Sequence, residues 1–221
     1  DACLACPQGT YSNETGATSD DFCLPCPAGT YSMTPGGYSI AVCLQCPPGT
    51  YSSEPGAPSP ESCLPCIAGT YSVSYGATTV DVCLKCPQGK YSTTPQAPNI
   101  SLCLDCPLGT YYEGTGGDRL GICADCPMGT WSDTPGAISY SFCQWCAAGT
   151  YSDLERATSI ATCINCLAGK YSDPDKLPLE FPADCLDCPP GTYSTEVAAP
   201  NASYCLPCPA GSWSDEPGIF P

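Results

Sequence analysis

Cysteine is the residue with chemistry to do in this chain. All 22 cysteines fall into eleven Cys-x-x-Cys pairs, from Cys3/Cys6 to Cys205/Cys208, at a period of twenty residues. The one break is the step of twenty-two from Cys163 to Cys185. Paired thiols at this spacing can hold a metal as thiolates, exchange electrons as a redox centre, or crosslink the chain. Two such pairs separated by sixteen residues fall within zinc-ribbon spacing. A tetrathiolate site consumes two pairs, however, and eleven do not divide evenly; His, the other common zinc ligand, is absent. A thioredoxin-like centre needs a βαβ setting that surrounds none of the pairs. Crosslinking remains. Cysteine at about a tenth of the residues, with 26 Pro and 22 Gly, reads as a disulfide scaffold without metal or cofactor, in an oxidising and therefore extracellular or secreted setting.

The simplest periodic pairing joins the second Cys of each unit to the first Cys of the next. It predicts Cys6–Cys23, Cys26–Cys43, Cys46–Cys63, Cys66–Cys83, Cys86–Cys103, Cys106–Cys123, Cys126–Cys143, Cys146–Cys163, Cys166–Cys185 and Cys188–Cys205. Each closed loop contributes about 3 kcal/mol in the chain-entropy model. An interlocked pairing, first to third and second to fourth, stays open, although it works in blocks of two pairs and suits an odd total poorly. Under serial pairing the two residues inside each Cys-x-x-Cys act as rigid hinges between loops, and Cys3 and Cys208 have no partner within the chain. A further copy following Pro221 would put fifteen residues between Cys208 and the next Cys3, against sixteen in most units. The expectation is an array that continues past both ends, as a longer chain or as head-to-tail subunits.

The elements that position these cysteines repeat with them. Units begin at Cys3, Cys23, Cys43, Cys63, Cys83, Cys103, Cys123, Cys143, Cys163, Cys185 and Cys205, making residues 1–221 a single tandem array whose last unit is incomplete. The shared pattern is Cys-Leu-x-Cys-Pro-x-Gly-Thr-Tyr-Ser. Pro7 and its equivalents fix φ after the second Cys, and Gly9 permits a left-handed turn. Thr10-Tyr11-Ser12 then suits a short strand, with Tyr11 lying against a disulfide, the adjacent Pro and Leu4 or Leu24. A second turn follows at Thr15-Gly16, Pro35-Gly36, Pro55-Gly56 and Pro135-Gly136, where Pro-Gly favours type II. A brief apolar approach (Phe22, Val42, Val82, Leu102, Ile122, Phe142) leads into the next Cys. Helical periodicity is absent throughout.

Two units depart from the pattern. In the eighth, Gln144-Trp145 and Ala147 replace Leu and Pro, and Leu154-Glu155-Arg156 removes the Gly of the second turn. The ninth carries a two-residue insertion within residues 173–182. Such insertions map to loops on one face of a repeat array, so the reading is a change of loop length, with a docking site as the alternative.

The net charge of −16 and the six scattered Lys and Arg leave no basic patch for nucleic acid, and the same sign repels anionic membranes. No apolar run reaches transmembrane length. Catalysis has no His for base work and no nucleophile beside a recognisable base, so the chain reads as a non-enzyme. Asp20-Asp21, Asp173/Asp175 and Asp184/Asp187 offer oxygen ligands for calcium without EF-hand spacing and read as solvated surface charge. Three sequons, at Asn13, Asn99 and Asn201, mark sites for N-linked glycans, and Thr-Pro and Ser-Pro steps such as Thr34-Pro35 and Thr94-Pro95 suit O-glycosylation.

At Cys23-Leu24-Pro25-Cys26-Pro27-Ala28-Gly29-Thr30-Tyr31-Ser32 the chain resembles the ephrin-receptor-like cysteine-rich repeats, and more distantly the first loop type of tumour-necrosis-factor-receptor modules. The motif recurs along essentially the whole chain. The resemblance implies an extracellular, elongated, disulfide-stapled fold; eleven nearly uniform copies without another domain differ from the usual receptor arrangement. The expected fold is thus a small, disulfide-rich, irregular β array of about eleven hairpin-like repeats with almost no helix. The expected role is structural: a glycosylated segment of a fibre, appendage or cell-surface coat, whose partners are itself head-to-tail, the continuing chain, or other matrix proteins. The alternative is the stalk or ectodomain of an adhesion or receptor-type binding protein.

Overall fold

The computed structural model describes residues 3–219 and contains ten two-stranded sheets and no α-helix among them. The chain forms two compact units. One holds the residues up to Leu104 together with Gly114–Ile122, and the other holds Asp105–Glu113 together with the chain from Cys123 onward. The same twenty-residue pattern builds both.

The first loop shows how the pattern folds. Pro7 starts a turn that Thr10 closes with two hydrogen bonds to the Pro7 carbonyl, from its N–H at 3.2 Å and its hydroxyl at 2.7 Å. The strand Thr10–Tyr11 follows, and the chain returns through a single 3-10 turn at Asp20–Phe22. It then pairs antiparallel with Leu24–Pro25 in the register Thr10↔Pro25 and Tyr11↔Leu24. Tyr11, Tyr31, Tyr51 and Tyr71 are half-buried and stand opposite Leu24, Leu44, Leu64 and Leu84 in the register. From Leu24–Pro25 to Leu206–Pro207, the two residues inside the Cys-x-x-Cys form the second strand of a hairpin, and Leu4–Ala5 of the first pair lie outside any strand.

Three further differences have physical reasons. The apolar approach before each first Cys (Phe22, Val42) is a 3-10 turn, too short for any hydrophobic period to reveal. The missing Gly of the eighth unit does not abolish its second turn: Arg156 takes φ +58°, the same left-handed backbone as Gly136 at +66°. Gln96 and Ala198 do likewise, at +59° and +58°. The insertion in the ninth unit is absorbed by an extra 3-10 turn at Pro174–Lys176 and an inward Leu179, which is 1% exposed. Leu179 packs with Cys166 and Cys185, with Tyr151 and Leu177 alongside.

Successive loops are laced by backbone hydrogen bonds. Gly9 N–H donates to the Ser32 carbonyl at 2.8 Å, Ser12 N–H to Gly37 at 3.0 Å, and Gly36 N–H to Cys6 at 2.8 Å. In the second compact unit the same ladder runs from Gly109 to Ser132, Tyr112 to Ala137 and Gly136 to Cys106. Parallel bridges such as Tyr11↔Gly37 and Tyr111↔Ala137 accompany them. Packing also reaches one repeat further. Gly29 has φ +78°, and a Cβ there would lie 2.2 Å from the Gly76 carbonyl oxygen; a Cβ on Gly109, φ +73°, would lie 2.4 Å from that of Arg156. This glycine is thus required twice, by its backbone angle and by the chain pressed against it.

The core is correspondingly small in its parts. In the first compact unit it includes Cys26, Cys46, Cys63, Cys66, Cys86 and Cys103, with Ala57, Ala77, Ala97, Thr50, Thr70 and the serines 32, 52, 72 and 92. In the second, Cys106, Cys126, Cys146, Cys166 and Cys188 play the same part, and Leu179 is the one bulky aliphatic residue among the buried ones. With half-cystines, Ala and Ser as its interior, each unit buries little apolar surface and relies on covalent links and backbone hydrogen bonds.

Candidate functional site

The feature that recurs with chemistry attached is the ladder of cystines and the polar turns it fixes. The structure joins Cys6 to Cys23, Cys26 to Cys43, Cys46 to Cys63, Cys66 to Cys83 and Cys86 to Cys103. It continues with Cys106 to Cys123, Cys126 to Cys143, Cys146 to Cys163, Cys166 to Cys185 and Cys188 to Cys205. Their Cα–Cα separations run from 5.5 to 5.8 Å. Cys3 and Cys208 are free thiols, the first exposed and the second half-buried. The junction considered after Pro221 involves residues 1–2 and 220–221, which lie outside the described residues.

Each Cys-x-x-Cys from Cys23/Cys26 to Cys185/Cys188 is divided between two disulfides, one facing the preceding loop and one the following loop. Among the described residues no three His, Cys, Asp or Glu side chains converge as a metal-holding group. At least one carboxylate of each acidic pair weighed as calcium ligands is engaged locally. Asp184 accepts the N–H groups of Glu180 at 3.0 Å and Phe181 at 2.8 Å. Asp173 accepts the N–H of Asp175 at 3.1 Å, and Asp21 accepts the Ser19 hydroxyl at 3.0 Å. Asp187 pairs with Lys170 at 2.6 Å across the hairpin. Glu61 is held below the usual carboxylate range, first by the Ser59 hydroxyl and then by its own backbone N–H.

The Thr and Ser of the repeat have distinct duties. Thr50, Thr110 and Thr130, all buried, donate their hydroxyls to the carbonyls of Pro47, Pro107 and Pro127 at 2.6–2.7 Å. Ser32 and Ser132, also buried, accept the N–H groups of Thr34 and Thr134 through their hydroxyls, at 3.3 and 3.4 Å. Lys170 occupies the Thr position of its unit and reaches Asp187 in the facing strand. Arg156, at the second-turn position, has Nε 3.8 Å from Oδ1 of Asp125. Sequence reasoning does not pick out the Ser and Ala rows as core residues. Their recurrence after Tyr and after Pro-Gly was the available signal.

The sequons fall in two settings. Asn99 and Asn201 are the caps of the 3-10 turns Ile100–Leu102 and Ala202–Tyr204. Asn13 lies elsewhere in its unit, exposed, between Ser12 and Glu14, whose N–H donates to the Ser12 hydroxyl at 3.3 Å.

Two open depressions lie on the surface. One of about 760 Å³ is lined by Leu4, Ala5, Ser12, Ala17, Phe22 and Tyr38 among others, and one of about 340 Å³ by Thr195, Glu196, Ser203, Tyr204 and Leu206. No helix among the described residues is long and apolar enough to cross a membrane.

An array of disulfide-closed, twenty-residue loops with this geometry defines a cysteine-rich repeat protein. A family model described as tyrosine-protein kinase ephrin type A/B receptor-like matches residues 20–63. That segment resembles the ephrin-receptor-like cysteine-rich repeats, a module type of extracellular receptor-type ectodomains. The loops on either side carry the same disulfide spacing and hairpin register. No curated protein matches the chain.

Proposed function

We propose that this chain is a structural segment of an extracellular fibre, appendage or cell-surface coat. The observation that carries the reading is the double lacing of the repeats. Within each compact unit, successive loops are closed by cystines and hydrogen-bonded through Gly, Ser and Cys backbone groups, and glycines such as Gly9, Gly29, Gly109 and Gly149 press against the loop beyond. Such lacing resists local opening. Cys3 and Cys208, both free, are the thiols through which a further repeat would join, whether from the continuing chain or from a second copy.

A second reading, the stalk or ectodomain of a binding protein, is favoured by one observation besides the family match. Leu24, Leu44, Leu64 and Leu84 recur on successive hairpins at 45–51% exposure, a set of apolar side chains available to a partner. Electron microscopy of native material labelled with an antibody to this chain separates the two. Regular labelling along filaments or a coat is expected; label confined to isolated stalks beneath globular heads would overturn the structural reading. A non-reducing gel of the purified chain checks the thiol junction, with oligomers that collapse to monomer on reduction as the expected result.

A further inference from the structure

We propose that Asn99 and Asn201 carry N-linked glycans, attached through the side-chain nitrogen while the side-chain oxygen goes on capping its turn. The inference rests on the extracellular reading above. Both residues stand sixteen positions after the first Cys of their repeats, Cys83 and Cys185, and both begin Asn-x-Ser with x other than Pro. The amide oxygen of Asn99 accepts the N–H of Ser101 at 3.0 Å and also the Ser101 hydroxyl. That of Asn201 accepts the N–H of Ser203 at 3.0 Å and its hydroxyl at 2.6 Å. A primary amide has an acceptor oxygen and a separate donor nitrogen. Here the turn engages the oxygen alone, so substitution at nitrogen leaves every described bond of the turn in place.

Capping alone does not account for asparagine at these two positions. In other repeats the equivalent residue is Ser39, Ser59, Thr79, Ser139 or Ser159, and the same 3-10 turn forms there with no side-chain cap bond. The turn therefore folds without an Asn cap, and what Asn99-Ile100-Ser101 and Asn201-Ala202-Ser203 add is the acceptor chemistry of a sequon. Their placement suits a bulky sugar. Asn99 and Ser101 are exposed, Asn201 is half-exposed and Ser203 exposed. Each turn also runs straight into a cystine, Cys103 or Cys205, which holds it in place. Exposed apolar side chains lie close by in sequence, Ile100 and Leu104 in one case and Tyr204 and Leu206 in the other, and a hydrated glycan there shields them.

The donor is an oligosaccharide on a polyprenyl diphosphate, supplied by the secretory pathway. The amide nitrogen forms a bond to the sugar's anomeric carbon, the bond from that carbon to the phosphate oxygen breaks, the diphosphate leaves, and the amide proton is lost. The test is expression of the full chain behind a secretion leader in a eukaryotic host, with intact masses and peptide maps of the secreted, non-reduced protein before and after peptide-N-glycosidase. Ser101→Ala with Ser203→Ala removes both sequons and keeps both asparagine caps to the backbone; Ser101→Thr with Ser203→Thr keeps the sequons. The wild type and the Thr variant should lose glycan mass and convert Asn99 and Asn201 to Asp, and the Ala variant should be secreted without sugar at either position. A secreted, fully disulfide-bonded wild type with both asparagines bare overturns the assignment and leaves the extracellular reading standing. Retention of the chain with reduced thiols overturns both.

Discussion

At the scale of single residues, the fold is governed by whether a Cβ can be accommodated. Ala198 occupies a left-handed position that Gly takes in most other repeats, at φ +58°. An L-residue there costs about 1–2 kcal/mol through the clash of Cβ with the backbone. Ala198→Gly should therefore raise stability by about 1 kcal/mol, partly offset by the greater freedom of Gly in the unfolded chain. A denaturant midpoint measured with the disulfides intact reads the gain; a lower midpoint would contradict it. Gly117 shows the reverse case. A Cβ there would fall 2.1 Å from Cδ1 and 3.2 Å from Cγ1 of Ile122, whereas the equivalent residue elsewhere is Ala57, Ala77 or Ala97. Overpacking of this kind costs about 1–3 kcal/mol, so Gly117→Ala should lower the midpoint accordingly. Ile122→Val deletes the nearest obstructing atom, and the double variant should lose less than the sum of the two singles. Strict additivity would show that the two side chains do not share that space.

At the scale of the element, the two-residue strand is held by the turn before it. Thr130 is fully buried and donates its hydroxyl to the Pro127 carbonyl at 2.6 Å. Thr130→Val keeps the shape and removes this bond from a buried side chain, the carbonyl keeping the Thr130 N–H at 3.2 Å, a loss of about 1 kcal/mol. Thr150 makes the same bond to Ala147 at 2.7 Å but is half-exposed, so water can replace the lost hydroxyl and Thr150→Val should cost less. Equal losses at the two positions would refute the argument. The same element marks where sequence reading reaches its limit. Pro127, Gly129 and Thr130 announce a turn and a strand because each residue type meets a local demand. The strand that Thr130–Trp131 pairs with, Gln144–Trp145, is two residues long and sits inside a Cys-x-x-Cys, where no alternation can be seen. The same holds for Ala137 and Ser132, buried by contact with neighbouring loops that only the folded chain brings near. The cystine spacing is legible because it is covalent and periodic; the packing of Gly109 on Arg156 is not, since nothing in one repeat refers to residues so far along the chain.

For the molecule as a whole, stability depends on oxidation because the interior is built from the crosslinks themselves. Nine of the ten cystines have at least one half-cystine buried, from Cys26 through Cys188; Cys6–Cys23 alone has neither. Thiol–disulfide exchange requires a thiolate to reach a sulfur atom, so access orders the rates along the array. Under limiting reductant without denaturant, followed by alkylation and peptide mapping, Cys6 and Cys23 should be labelled before any cysteine between Cys26 and Cys188. Each further bond opened removes a loop constraint of about 3 kcal/mol from a chain with little apolar surface to replace it. Full reduction should therefore abolish the cooperative unfolding transition altogether. The acidic surface acts in the same direction: with a net charge of −16, self-repulsion drives a reduced chain apart, and added salt should slow that loss by screening. Uniform labelling of all cystines at the earliest time points would mean that the array opens globally rather than from its accessible bond, and the burial argument would fail.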